Sequence, residues 1–125
     1  MNTIGYFEIH STNPEREIKF YQSVFGWRFV REKSFPIEYY RIEINGIHGG
    51  LLKCPPKEPT MQGGINAFVC SVQVENFDKT SEQILTSGGQ IAKPKFAIPT
   101  LCWQGYFIDG DNNTFGVFEV DEHAI

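Results

Sequence analysis

The spacing of hydrophobic and polar positions changes several times along this chain, and each change marks an element. From Ile4 to His10, Ile, Tyr, Phe and Ile alternate loosely with polar residues, as in a half-buried strand. Ser11, Thr12 and Asn13 are all good N-cap residues. Pro14 suits the first helical position, where its missing N–H costs nothing. Glu15 and Glu17 favour the positive end of the helix dipole. Ile18, Tyr21 and Phe25, flanked by Phe20 and Val24, form an apolar stripe at helical spacing. Gly26 predicts the stop, since a helix commonly ends on a glycine with positive φ.

Trp27 to Glu32 reads as a strand, with a turn near Lys33 to Pro36 and a second strand from Glu38 to Ile44. Asn45-Gly46 is the strongest two-residue hairpin signal, and Ile47 to Lys53 returns. The prolines in Cys54-Pro55-Pro56-Lys57-Glu58-Pro59 exclude a sheet interior, because proline donates no ladder hydrogen bond. After Gly63 and Gly64 the order recurs. Ile65 to Val74 is β-prone, Asn76 to Thr86 is helical through Phe77, Ile84 and Leu85, and Gly88-Gly89 closes the helix. Gln90 to Phe96, Thr100 to Ile108 and Thr114 to Val120 supply three more strands.

Setting Asn13 against Asn76 brings strand, cap, helix and glycine stop into near register. The expectation is an α+β fold in one domain, residues 1–125, built of two tandem βαβββ modules at about 4–54 and 64–120. A linker at 55–63 joins them. Two mostly antiparallel four-stranded sheets would form a curved half-barrel around a cavity, each with its helix outside. A concave sheet surface is the usual place for a small ligand, so function is expected on inward-facing positions.

Composition narrows the partners. The net charge is −4 with scattered basic residues, which leaves no electrostatic footprint for nucleic acid. No apolar run approaches the ~20 residues a membrane helix requires, and Met1-Asn2-Thr3 shows no signal peptide. Cys54, Cys70 and Cys102 are odd in number and widely spaced, which points to free thiols, small buried hydrophobes in a reducing, cytoplasmic setting. Eleven Phe and five Tyr suggest a core or cavity walled by rings.

Two stretches carry a resemblance. Phe20-Tyr21 … Phe25-Gly26-Trp27 at the end of the first helix, and the closing turn Asp109-Gly110-Asp111-Asn112-Asn113, resemble the vicinal oxygen chelate superfamily of glyoxalase, bleomycin-resistance and dioxygenase proteins. Gly49-Gly50-Leu51 is similar to a common variant of that family, and the likeness runs from Ile4 to about Val120. The resemblance implies a divalent ion held by four inward His, Glu or Gln residues, one on each of four strands. Those places fall on Tyr6, on His48 or Gly50, on Val69 and on Gly116. Tyrosine is a poor ligand for such an ion, and valine and glycine offer no ligating atom. No metal and no other cofactor is therefore expected.

Other residues could contribute chemistry. Glu8 shares a strand face with Tyr6, and a Glu8–His48 pair would hold a weak metal or move a proton. The competing reading makes both polar residues satisfied by neighbours or solvent. Gln104, and Trp103 or Tyr106, are candidates for the cavity border, whereas Trp27 reads as core. His10 and His123 read as surface residues, and no nucleophile triad or phosphate loop is legible. The expected ligand positions are thus Tyr6, Glu8, His48, Val69, Trp103, Gln104, Tyr106 and Gly116. The leading reading is a small-molecule receptor without chemistry, of the bleomycin-resistance type, acting as a homodimer. A metal-dependent lyase, isomerase or dioxygenase, and a regulatory module with no ligand, are the alternatives.

Overall fold

A computed structural model describes residues 6–53 and 69–125. Ile4, Cys54, the proline-rich linker, Gly63-Gly64 and the start of the 65–74 segment lie outside the described residues. The chain divides into two compact units, Met1–Gly63 and Gly64–Ile125.

In the first unit, β1 (Phe7–Ser11) leads into α1 (Pro14–Phe25), followed by β2 (Arg28–Arg31), β3 (Tyr39–Glu43) and β4 (Gly49–Lys53). The strands form sheet A in the order β1-β4-β3-β2, with β1 parallel to β4 and the other pairs antiparallel. The second unit repeats this with β5 (Ser71–Gln73), α2 (Phe77–Thr86), β6 (Gln90–Ile98), β7 (Cys102–Ile108) and β8 (Thr114–Val120). Its sheet B runs β5-β8-β7-β6, and β5 is parallel to β8. The tandem βαβββ reading therefore holds, strand for strand.

The helix caps form as their residue types demand. The Asn13 side chain accepts from the Arg16 N–H at 3.2 Å, and that of Asn76 accepts from the Lys79 N–H at 3.0 Å. Gly26 ends α1 with φ +70° and donates its N–H to the Gln22 carbonyl. Phe20 and Tyr21 of α1 are buried, as are Ile42 and Leu51 on alternate positions of sheet A, and Phe77 and Ile84 are buried on α2. Trp27 stacks on Tyr21 with ring planes 3° apart and centroids at 5.4 Å, which places it in that aromatic packing.

Several expectations need correction. The ladder register centres the β3–β4 hairpin on Asn45-Gly46, yet pairing stops at Ile42 and Gly49, so β4 begins at Gly49 and not at Ile47. Only Gly46 of that pair has positive φ, whereas the tight turn that Asn-Gly favours requires it at both central positions. Of the described residues in the strand expected over 65–74, only Ser71–Gln73 form strand; Val69 and Cys70 precede it, and the Cys70 carbonyl accepts from the Gly116 N–H at 2.8 Å. Cys70 is exposed, so it is no buried hydrophobe; Cys102 is buried. Thr100 lies in a turn at φ +66°, which delays β7 to Cys102. Pro94 sits inside β6, the edge strand of sheet B, where a missing N–H is tolerated, and the β6–β7 register shifts around it.

Candidate functional site

Each sheet carries one compact polar cluster on the face turned away from its core, and the two clusters are built alike. In sheet A, Glu8 on β1 and Arg41 on β3 both pair with Gly50 of β4. Paired residues share a face, and Tyr39 joins them because it stands two positions before Arg41. The Tyr39 hydroxyl donates to Glu8 Oε2 at 3.2 Å and is 2.5 Å from the Tyr6 hydroxyl. In sheet B, Ser71 on β5 and Tyr106 on β7 both pair with Gly116 of β8. Gln104, two positions before Tyr106, donates from Nε2 to Ser71 Oγ at 3.3 Å.

The glycines make these bridges possible. A Cβ on Gly50 would stand on the Tyr39 hydroxyl and ring, and a Cβ on Gly116 would stand on Ser71 Oγ, with Gln104 Nε2 at 2.8 Å. In both units, then, a polar side chain from the third strand crosses a glycine of the fourth and bonds to the first. Tyr39 and Gln104 are both buried, at 6% and 7% exposure. Burial, reinforced by the hydrogen bond to Tyr6 and the neighbouring Glu8 carboxylate, holds the Tyr39 proton well above the ordinary phenol range.

The expected site residues distribute unevenly over these clusters. Tyr6 and Glu8 meet at Tyr39; Gln104 and Gly116 meet at Ser71, with Tyr106 in the same row. Tyr106 stacks on Phe96 at 6.3 Å. His48 lies exposed just before β4, and its carbonyl accepts from the Phe7 N–H at 3.3 Å. Among the described residues no hydrogen bond or ion pair joins it to Glu8, which instead bonds Tyr39 and lies 3.9 Å from His10 Nε2. Val69 is exposed ahead of β5. Trp103 alternates to the opposite face of sheet B from Gln104 and Tyr106. There its Nε1 donates to Asp121 at 2.9 Å, and Lys95 lies 4.6 Å over its ring while reaching Asp78 of α2 at 3.0 Å. The Asp121 carboxyl is held below the usual carboxylate range by the His123 N–H and by that indole.

Tyr39, Ser71 and Phe35 were not among the expected residues. Phe35 packs edge-on against Tyr39 at 4.9 Å and is half exposed. A usable signal for Tyr39 existed in the repeat, since Gln104 has Tyr39 as its counterpart. The offset grows from 63 residues at Asn13/Asn76 to 65 at Tyr39/Gln104, because the β2–β3 and β6–β7 segments differ in length, and that hides the match.

Gly50 and Gly116 have no ligating atom, and the space a ligating side chain would need there is filled by Tyr39 and by Ser71 with Gln104. The Tyr6 hydroxyl is engaged with Tyr39, and Val69 is aliphatic. Among the described residues, no group of three or more His, Cys, Asp or Glu side chains is arranged to hold an ion. The donor set does not fit the divalent ion of metal-dependent glyoxalases.

Comparison with known proteins agrees with the fold. The description of the Glyoxalase/Bleomycin resistance protein/Dioxygenase superfamily matches residues 3–117, so the chain belongs to that family. A glyoxalase/bleomycin resistance protein/dioxygenase family enzyme from Burkholderia phytofirmans PsJN is similar, at 19% identity over 94% of this chain and 98% of that one, with a TM-score of 0.74. A glyoxylase/bleomycin resistance protein/dioxygenase domain from Frankia sp. EAN1pec reaches a TM-score of 0.77 at 16% identity, over 98% of this chain and 94% of that one. A mutant of the fosfomycin resistance protein FosX from Listeria monocytogenes, complexed with Mn(II) and 1S,2S-dihydroxypropylphosphonic acid, has a TM-score of 0.69 at 18% identity, over 94% and 89%. At these identities the likeness concerns fold alone. No curated protein matches the sequence. Among the described residues no helix is long and apolar enough to cross a membrane.

Proposed function

We propose that this chain is a metal-independent receptor for a small organic molecule, a role of the kind named in bleomycin resistance. The observation that carries the reading is the filling of the Gly50 and Gly116 positions by side chains of their own sheets. A protein that held an ion there would keep that volume for ligands. Here it belongs to hydrogen-bonded bridges that leave oriented groups beside them: the Glu8 carboxylate, the Tyr6 hydroxyl, the Gln104 amide and the Tyr106 ring. Oriented polar groups next to aromatic surface suffice for recognition without chemistry.

Elemental analysis after native purification tests the metal-independent half. Zn, Ni, Mn or Fe at one equivalent per chain would return the protein to the metal-dependent lyase or dioxygenase class. A thermal-shift screen against small metabolites tests the receptor half. Ligand at a hundred-fold excess over its Kd stabilises by about 2.7 kcal/mol, a readable shift for a chain of this size. Absence of any stabilising compound would favour a regulatory module.

The same proposal includes a homodimer. Among the described residues each four-stranded sheet ends in two edge strands, and an open sheet edge favours pairing or cover. Sedimentation of the pure protein at micromolar concentration should give twice the chain mass of 14.3 kDa, and a monomer would refute this part.

A further inference from the structure

We propose that the cluster on sheet A binds an organic cation, an aromatic ammonium or amidinium whose N–H groups donate to Glu8 and to the Tyr6 oxygen. This inference rests on the receptor reading above and specifies its ligand. The argument is a count of protons. A carboxylate only accepts, so the single Tyr39 proton is committed to Glu8 Oε2. The short contact between the two phenols is then a bond from Tyr6 to Tyr39. The sequence Tyr6→Tyr39→Glu8 spends every hydroxyl proton of the cluster inward. What these hydroxyls leave for a ligand is accepting capacity: the lone pairs of the Tyr6 oxygen, on a residue that is half exposed, and Glu8, whose side chain is 44% exposed.

Charge on this face points the same way. Arg41 is engaged with Glu32 and with Glu43, each at 3.3 Å, and Arg28 with Glu43 at 3.5 Å. Neither arginine contacts Glu8. Among the described residues its one basic neighbour is the His10 imidazole, which is cationic only when protonated. Phe35, edge-on to the Tyr39 ring, adds exposed ring surface next to that phenol, where a cation gains from the π face and an aromatic body from stacking. An anion would meet Glu8, and the Arg41 guanidinium on the same face is already held by Glu32 and Glu43.

The test uses the full chain and three probes of similar size: benzamidine, benzyl alcohol and benzoate, titrated while backbone amide resonances are followed. Benzamidine should shift the Tyr6, Glu8 and Phe35 amides and bind about tenfold more tightly than either other probe, as charge-assisted hydrogen bonds allow. Glu8→Gln keeps the shape, and its thermal melt shows whether the fold is intact. It should abolish the benzamidine advantage and leave benzyl alcohol unchanged. Equal or tighter binding of benzoate or benzyl alcohol at those amides would overturn the cation and leave the receptor reading standing. Undiminished benzamidine binding by the variant would overturn it too, as would no shift of those amides by any probe. In that last case the metabolite screen decides separately whether the receptor reading falls with it.

Discussion

The two units share one construction and differ in the stiffness and chemistry of what spans it. Over Gly50 the bridge is a phenol, a rigid ring whose hydroxyl is fixed by Glu8 and Tyr6; over Gly116 it is a glutamine amide resting on a serine hydroxyl. The backbone requirement is the same in both, a fourth-strand glycine that lets a neighbouring strand's side chain cross. The first unit, however, ends in a carboxylate and a phenol oxygen, while the second ends in neutral amide and hydroxyl groups. Duplication has kept the scaffold, and the polar groups it displays have diverged.

That contrast can be broken at the glycines first. Gly50→Ala drives a methyl into a ring that cannot yield, so a loss of about 3 kcal/mol is expected in urea unfolding. Gly116→Ala meets a flexible amide end and a hydroxyl, and about 1 kcal/mol is expected. Equal losses would mean that the two bridges do not differ in rigidity as described.

Tyr39→Phe comes next, removing both hydrogen bonds of the first bridge at a cost of about 1–2 kcal/mol. It also changes the alkaline limb. A phenol whose folded pKa is raised favours folding fully below its ordinary value of 10.0, and that contribution is lost as pH rises beyond it toward the folded value. The variant should therefore lose stability less steeply above pH 10.0 than the parent. Some slope should remain, because burial and Glu38 also raise Tyr40. An unchanged alkaline limb would contradict the assignment.

The caps offer a control in which the units should agree. Asn13→Ala and Asn76→Ala each remove one cap bond, and each should cost about 1 kcal/mol. The smallest effect concerns Asp121. Its depressed pKa means that its contribution is present above the ordinary carboxylate value of 3.8 and fades as pH falls through the folded value. Trp103 emission should report that loss only below the ordinary range, and Asp121→Asn should remove the transition.

Legibility in the sequence followed how local each signal was. The helix starts at Asn13 and Asn76, the Gly26 stop and the Asp109 turn were readable, because each depends on a few adjacent residues. Asp109 Oδ1 accepts from the Asp111 and Asn113 N–H groups at 2.9 Å, while Asn112 takes the left-handed conformation at φ +64°. Alternation along the first strand segment also placed Tyr6 with Glu8, whereas along 100–108 it left Trp103 and Tyr106 as alternatives beside Gln104. Tyr39 escaped notice because nothing near it in sequence reveals that its ring crosses Gly50. Trp103 belongs to α2's side of sheet B, since Gly105 and the flanking register set its parity.

The sequence by itself determined the repeat, the two caps and stops, and the order of elements along the chain. Those features arise from periodicity and from the backbone preferences of proline, glycine and asparagine, which act within a few residues. Only the tertiary structure decided what fills the glycine positions and which way each hydroxyl proton points. Both depend on ladder register between strands far apart in the chain, 42 residues for Glu8 with Gly50 and 45 for Ser71 with Gly116. A shift of one residue in such a ladder turns every side chain to the other face, and in the parallel β1–β4 and β5–β8 ladders no tight turn joins the two strands to fix it.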